Sequence, residues 1–430
     1  MSTSRTFYTL LVTQAFSLLG SRMTAVAVGI WVFSLTGQAT PLLLTSFFTE
    51  LPGMLFGSLA GVLVDRWNRK RVMLLADIGQ ALASLLLLAS ILSGDFQLWH
   101  LYTLAFLQGS FAILQGPAES ATMTLLVPES QRERANGILE LTFPLAGILA
   151  PALAGVIYSF AGIGGVIAID LATFLAAAGI LLLLAIPQPP PSAEGQAGRG
   201  RWLSELRGGL GFLRRRPALF ALVLYIACTY FLLNGPLDLV IPYTLAVTGS
   251  EQQAGLVLAL MSLGAFSGGL LVAALGRLRP RLRLLWLSML FAGLMFLAFG
   301  LARSLPGLAA SLFLLMVPLP IGNALSRSVF QVKIPPDLQG RVFAFNEQLY
   351  MLGSTASFLL TGPLIDRFLT PLAATPAWAP LAPLLGPGPA GAIGLLQIAT
   401  GLLMLLVTLL FFAWRPLRQL ESELPDVEAE

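Results

Sequence analysis

Charge is what this sequence has least of. Of its 430 residues only 11% are Asp, Glu, Lys or Arg, against 56% hydrophobic. A soluble domain usually carries about 25% charged residues, so this inventory cannot build a surface that faces water on all sides. Cysteine is nearly missing too. Cys228 stands alone, which excludes an internal disulfide and a thiolate cluster. His100 is the sole histidine, so a His-based metal site lacks ligands. No glycine-rich loop ends in Lys-Ser/Thr to cradle phosphate, and no nucleophile, base and orienting acid form a triad. Nucleotide-driven and hydrolytic chemistry are therefore not expected. The expectation is no enzyme, no cofactor and no nucleic-acid partner, with an ion gradient as the energy source.

What is present is a succession of long apolar runs, and the mean hydropathy is +0.82. A bilayer takes about 20 apolar residues per spanning helix, and lipid admits only helices or closed barrels. Runs such as "LLADIGQALASLLLLASILSG" are continuous rather than alternating, so the expected fold is an all-α integral membrane protein. Twelve spans can be drawn, near 7–35, 41–64, 72–93, 98–126, 136–160, 163–186, 218–247, 252–276, 284–302, 306–331, 341–368 and 391–413. They predict a six-helix bundle over 1–186, a Pro-, Gly- and charge-rich linker with a short surface helix over 187–217, a second bundle over 218–416 and an acidic tail over 417–430. The opening "MSTSRTFY" leads into a run too long for a signal-peptide core, so the first span is expected to stay uncleaved.

The cations are not spread evenly. With the N-terminus inside, 21 of the 25 Lys and Arg residues fall on the cytoplasmic side. Only Arg303 and Arg367 fall outside, and Arg22 and Arg327 lie within spans. The positive-inside rule thus puts both termini in the cytoplasm of a cell membrane, and it accounts for the net charge of +4 without an anionic partner.

The two halves are related. A shift of 207 residues places Met54, Gly57 and Gly61 on Met261, Gly264 and Gly268, Pro128 on Pro335, Arg134 on Arg341, Glu140 on Glu347 and Gly155 on Gly362. Duplication explains one offset that matches charged, Gly and Pro positions alike. Parallel six-helix repeats suit a carrier that rocks two bundles about a midplane site.

Between spans 2 and 3 runs Gly61-x-x-x-Asp65-Arg66-x-x-Arg69-Lys70. With the twelve spans, the repeat and the central linker, it resembles the major facilitator superfamily across nearly the whole chain. Asn68 takes a place that family usually gives to glycine; Asn tolerates the left-handed conformation, so a tight turn is expected there. The resemblance implies that Asp65 interacts with the N-terminus of helix 11 when the cytoplasmic side is closed, with Arg66 and Arg69 pairing acids such as Asp77 or Glu140. A topology tag made of cations alone remains the alternative reading, though it requires neither Asp65 nor Gly61. In the second half Gly268, Arg277 and Arg279 persist, but no acid corresponds to Asp65. On span 5, Gly137, Ala146, Ala150-Pro151 and Ala154-Gly155 resemble the pattern of antiporter-type exporters, with Ala replacing three glycines. Small residues and a proline also fit any close-packed membrane helix.

Ionisable residues inside spans cost about 2.5–3.5 kcal/mol each on insertion scales and mark function by default. Arg22 and Glu50 face each other across the first hairpin near mid-membrane. Glu50 is expected to bind the coupling proton or a cationic substrate group, and a static ion pair with Arg22 is the alternative. Asp170 and Asp238 lie nearer the outer surface, as gate residues or as groups hydrogen-bonded to neighbours. Glu119 and Arg327 hold nearly corresponding inner places in the repeat. Arg134/Glu140 and Arg341/Glu347, symmetric in the two halves, are expected to form a breakable cytoplasmic gate. Together these residues predict a monomeric, proton-coupled exporter of small amphiphilic compounds, resembling the macrolide and multidrug efflux branch. A dedicated carrier of a siderophore, sugar or lipid precursor is the runner-up, and a non-transporting receptor or scaffold is the reading from another class.

Overall fold

The computed structural model describes residues 3–127, 132–186, 210–276, 279–418 and 420–423, and every regular element among them is helical. Most of the linker and the acidic tail lie outside these residues, as do the side chains of Gly61, Asp65, Arg66, Arg134, Gly137, Glu140 and Arg341. The twelve spans appear as α1 (Thr3–Thr36), α2 (Thr40–Arg66), α3 (Arg69–Leu92) and α4 (Leu98–Leu126), then a stretch from Arg132 to Leu183. Gly162, with φ 62° and ψ −167°, interrupts that stretch and divides it into α5 (132–161) and α6 (163–183). Only glycine adopts such angles without strain. There follow α7 (Pro217–Asp238 and Val240–Thr248), α8 (Glu251–Leu275), α9 (Arg281–Leu301), α10 (Leu305–Met316 and Pro318–Lys333), α11 (Pro336–Pro363, passing into the π-helical turn Leu364–Leu369) and α12 (Gly388–Ala413). Among the described residues, eight helical stretches are long and apolar enough to cross a membrane by length and composition.

Proline explains the breaks. Pro242 has no N–H to offer the Asp238 carbonyl, and Pro318 has none for Leu314; α7 and α10 divide at Leu239 and Val317. Span 10 was expected as one helix, and Pro318 makes it two. Near the break the Pro236 carbonyl accepts from the Leu239 N–H at 3.2 Å and also from Gln397 Nε2 of α12 at 2.8 Å, a polar contact between membrane helices. Asn68 also departs from expectation. Its φ of −63° and ψ of 113° are extended, and its side chain caps α3 by accepting from the Arg71 N–H. The turn is an N-cap, with no left-handed residue.

The described residues form two compact units, Met1–Gly37 with Leu44–Gly200 and Gln38–Leu43 with Arg201–Glu430. In the first, α1 packs on α5 and α6 through Met23, Ala27 and Val28 against Ala150, Ala154, Val166 and Ile167. Ala146, Ala150, Pro151, Ala154 and Gly155 are all buried, so the span 5 pattern serves close helix packing. In the second unit, Tyr225 of α7 packs on Trp286 and Phe411, and its hydroxyl bonds Thr408 of α12 at 3.1 Å. Gly264 and Gly268 of α8 lie against the backbone of Phe313 and Val317 in α10, leaving no room for a Cβ. Close packing is thus what those two glycines of the repeat serve.

Candidate functional site

A polar seam runs through the first unit. Asp77 of α3 is fully buried. Its carboxylate accepts from Gln115 Nε2 of α4 at 2.8 Å and from Gln14 Nε2 of α1 at 3.3 Å. Gln115 also donates to Gln14 Oε1 at 2.7 Å, and Gln80 donates to Gln115 Oε1 at 3.1 Å. Glu119, one turn beyond Gln115 on α4, lies within electrostatic reach of Asp77. Two turns along α3 the seam continues at Ser84, which donates to Asp170 Oδ2 of α6 at 3.0 Å and accepts from Gln108 at 3.0 Å. Ser21 of α1 donates to the other Asp170 oxygen at 3.3 Å. Asp170 is also fully buried, and Gly20 presses against its backbone so closely that a Cβ would sit 3.1 Å from Asp170 Cα.

These partners are uncharged, so charge inside the spans does not point to them. The missed signal is spacing: Gln14 and Ser21, Asp77 and Ser84, Gln108 and Gln115 are each seven residues apart. That is two helical turns, so each pair shares a face. Polar groups that cross between membrane helices replace contacts that lipid cannot supply.

The seam gives Asp77 amide partners, and the side chain of Arg66, one of the two expected to pair acids such as Asp77, lies outside the described residues. Lys70 takes a different part: its ammonium donates to the carbonyls of Leu182 and Leu184 at 2.9 and 2.7 Å, at the C-terminal end of α6. A cation there meets the negative pole of the helix dipole. Lys70→Met is expected to lower the unfolding free energy by about 0.3–1 kcal/mol, read from the thermal midpoint of the detergent-purified protein. An unchanged midpoint would show that the end of α6 is held by other groups.

The other sequence candidates fall in several places. Glu50 is exposed on α2 and Arg22 half-buried on α1. Also on α2, Phe48 stacks on Tyr102 of α4, with ring centroids 5.4 Å apart. In the second unit, Tyr230 of α7 donates to Asn323 Oδ1 of α10 at 2.8 Å and meets the Tyr350 ring of α11 at 4.4 Å. Glu347 and Arg327 both lie within electrostatic reach of the Tyr230 hydroxyl and are exposed. Two phenols, an amide, an acid and a cation thus share one face of this unit. Asp238 is half-buried at the break in α7. Among the described residues no group of His, Cys, Asp and Glu is arranged to hold a metal.

Comparison with known proteins agrees with this architecture. A profile of the Major Facilitator Superfamily matches residues 10–358. The chain is 27% identical over 368 residues to macrolide efflux protein A of Streptococcus pyogenes, covering 84% of this chain and 89% of that protein. It is 29% identical over 364 residues to an enterobactin exporter of Escherichia coli, covering 83% and 81%. Its fold is similar to a bacterial homolog of the human lysosomal transporter Spinster, with a TM-score of 0.73 and 17% identity over 97% of each chain. A nucleoside transporter, NupG, is similar with a TM-score of 0.76 and 11% identity, over 95% of this chain and all of the other. The helical architecture, the repeat and a profile match over most of its length together show that this chain belongs to the Major Facilitator Superfamily.

Proposed function

We propose that this protein exports small amphiphilic compounds of the macrolide and drug class across the cell membrane by alternating access, in exchange for protons. The observation that carries export is the likeness to macrolide efflux protein A over most of both chains. Both termini are assigned to the cytoplasm by the distribution of cations.

The buried seam is the coupling element in this reading. An ionised Asp77 only accepts hydrogen bonds, whereas a protonated one must also donate. Taking up a proton therefore forces Gln14 or Gln115 to turn an oxygen towards it, and the change is felt at once in α1, α3 and α4. Glu119 gives the proton a second carboxylate on the same face. On the exposed face of the second unit the rings of Tyr230 and Tyr350 offer apolar surface to substrate. Arg134/Glu140 and Arg341/Glu347 remain the proposed cytoplasmic gate.

Inverted membrane vesicles test the reading. With an acidic lumen, erythromycin or ethidium is expected to accumulate, and an ionophore that collapses the gradient is expected to stop it. Uptake that ignores the gradient would remove proton exchange from the account. The likeness to the enterobactin exporter supports one further arm, a catecholate siderophore. Transport of that probe alone would move the protein to the dedicated-carrier reading.

A further inference from the structure

The end of α2 opposite the loop 2–3 signature is held by an acid from α11. Asp366 lies in the π-helical turn Leu364–Leu369. Its two oxygens accept from the backbone N–H groups of Ala39 at 2.9 Å and Thr40 at 2.6 Å. These amides belong to the start of α2, where unsatisfied N–H groups and the positive pole of the dipole converge. One turn before Asp366, Gly362 lets the backbones meet: a Cβ there would lie 2.8 Å from Thr40 Cα. Residues Gln38–Leu43 accordingly belong with the second compact unit, while α2 from Leu44 onward belongs with the first.

The local sequence is Gly362-x-x-x-Asp366-Arg367, the same spacing as Gly61-x-x-x-Asp65-Arg66. The loop 2–3 signature was expected to set Asp65 on the start of helix 11. Here the end of α11 sets its own acid on the start of α2, a reciprocal arrangement. The π-helical turn is a feature often found at functional sites.

We propose that Gly362 and Asp366 form a second latch, which holds the start of α2 to α11 while that end of the transporter is closed and releases it on opening. Three properties make the contact separable. Asp366 is half-buried, so water can replace its two amide donors when the helices part. The glycine contact sets a bare backbone against the backbone and short side chain of Thr40, with no long side chain among the nearest atoms. The carboxylate meets amides rather than a buried cation, so separation strands no unpaired positive charge. The latch rests on the alternating-access reading given above.

Hydrogen exchange and a reversible cross-link test it. Asp366→Asn removes the charge and one of two acceptors, and exchange of the Ala39 and Thr40 amides is expected to accelerate about tenfold, within what an acid contributes at a partly buried helix N-terminus. Unchanged exchange would overturn the latch. In a Cys228→Ser background, Ala39→Cys with Asp366→Cys is then oxidised in inverted vesicles. Erythromycin uptake is expected to fall at least about tenfold and to return on reduction, with each single variant indifferent to oxidant. A cross-linked pair that transports as fast as the reduced one would show a contact that never opens, and would overturn the proposal. The exchange arm needs no substrate, so a wild-type protein that fails to move erythromycin counts against the efflux reading and leaves the latch to be judged by its amides.

Discussion

Asparagine in place of Asp77 is expected to sever uptake from the proton gradient while leaving the protein folded. The substitution preserves shape, and its donor–acceptor pattern matches the protonated acid: one oxygen accepts and one group donates. One of Gln14 and Gln115 keeps its bond to the remaining oxygen, and the other turns its own oxygen towards the new amide, so α1, α3 and α4 remain joined. What disappears is the ability to change charge. Thermodynamic coupling between two ligands is typically 1–3 kcal/mol, about 5- to 150-fold in affinity, and the gradient-driven component of uptake in inverted vesicles should fall by a factor in that range. Exchange of labelled for unlabelled substrate without a gradient should persist. If an acidic lumen drives the variant as strongly as the wild type, the proton binds elsewhere, and Glu119 or Glu50 becomes the group to replace.

Asp170→Leu is expected to damage stability instead. Asp170 joins α1 and α3 to α6 through Ser21 and Ser84, and Gly20 lies hard against it. Leucine removes the acceptor for both hydroxyls and fills a site with no slack. Ser21 keeps the Ser17 carbonyl, and Ser84 keeps Gln108, so the loss stays near the range for a buried unsatisfied group, about 1–3 kcal/mol. It should appear as a lower unfolding midpoint in detergent and less protein in the membrane. Asp170→Asn keeps an acceptor oxygen and should retain both stability and gradient dependence. That contrast separates the two buried acids: Asp77→Asn should alter coupling, Asp170→Asn should not. Loss of gradient dependence in Asp170→Asn would make Asp170 part of the proton path.

The loop signature illustrates how far residue type alone can mislead. Its three cations read as one positive cluster, yet Lys70 caps the end of α6 and Asn68 caps the start of α3. Neither assignment was open to inspection of the sequence, because the end of α6 lies more than a hundred positions away. The glycines of the repeat were visible as a pattern, but their reason was not. Only the crossing of α8 on α10 shows that Gly264 and Gly268 make room for a backbone.

Twelve spans, an all-helical membrane fold, a duplicated bundle and the family resemblance were determined by the sequence itself. Each follows from a local or periodic property: apolar length against bilayer thickness, the need to satisfy every backbone group in lipid, and a constant offset between like residues. The joining of Gln14, Asp77 and Gln115, the staple at Asp170, the grouping of Tyr230 with Asn323 and Tyr350, and the hold of Asp366 on the start of α2 were decided by tertiary structure alone. They depend on the rotation of each helix about its axis, which packing against neighbours sets. A run that is apolar on every side carries little trace of that rotation.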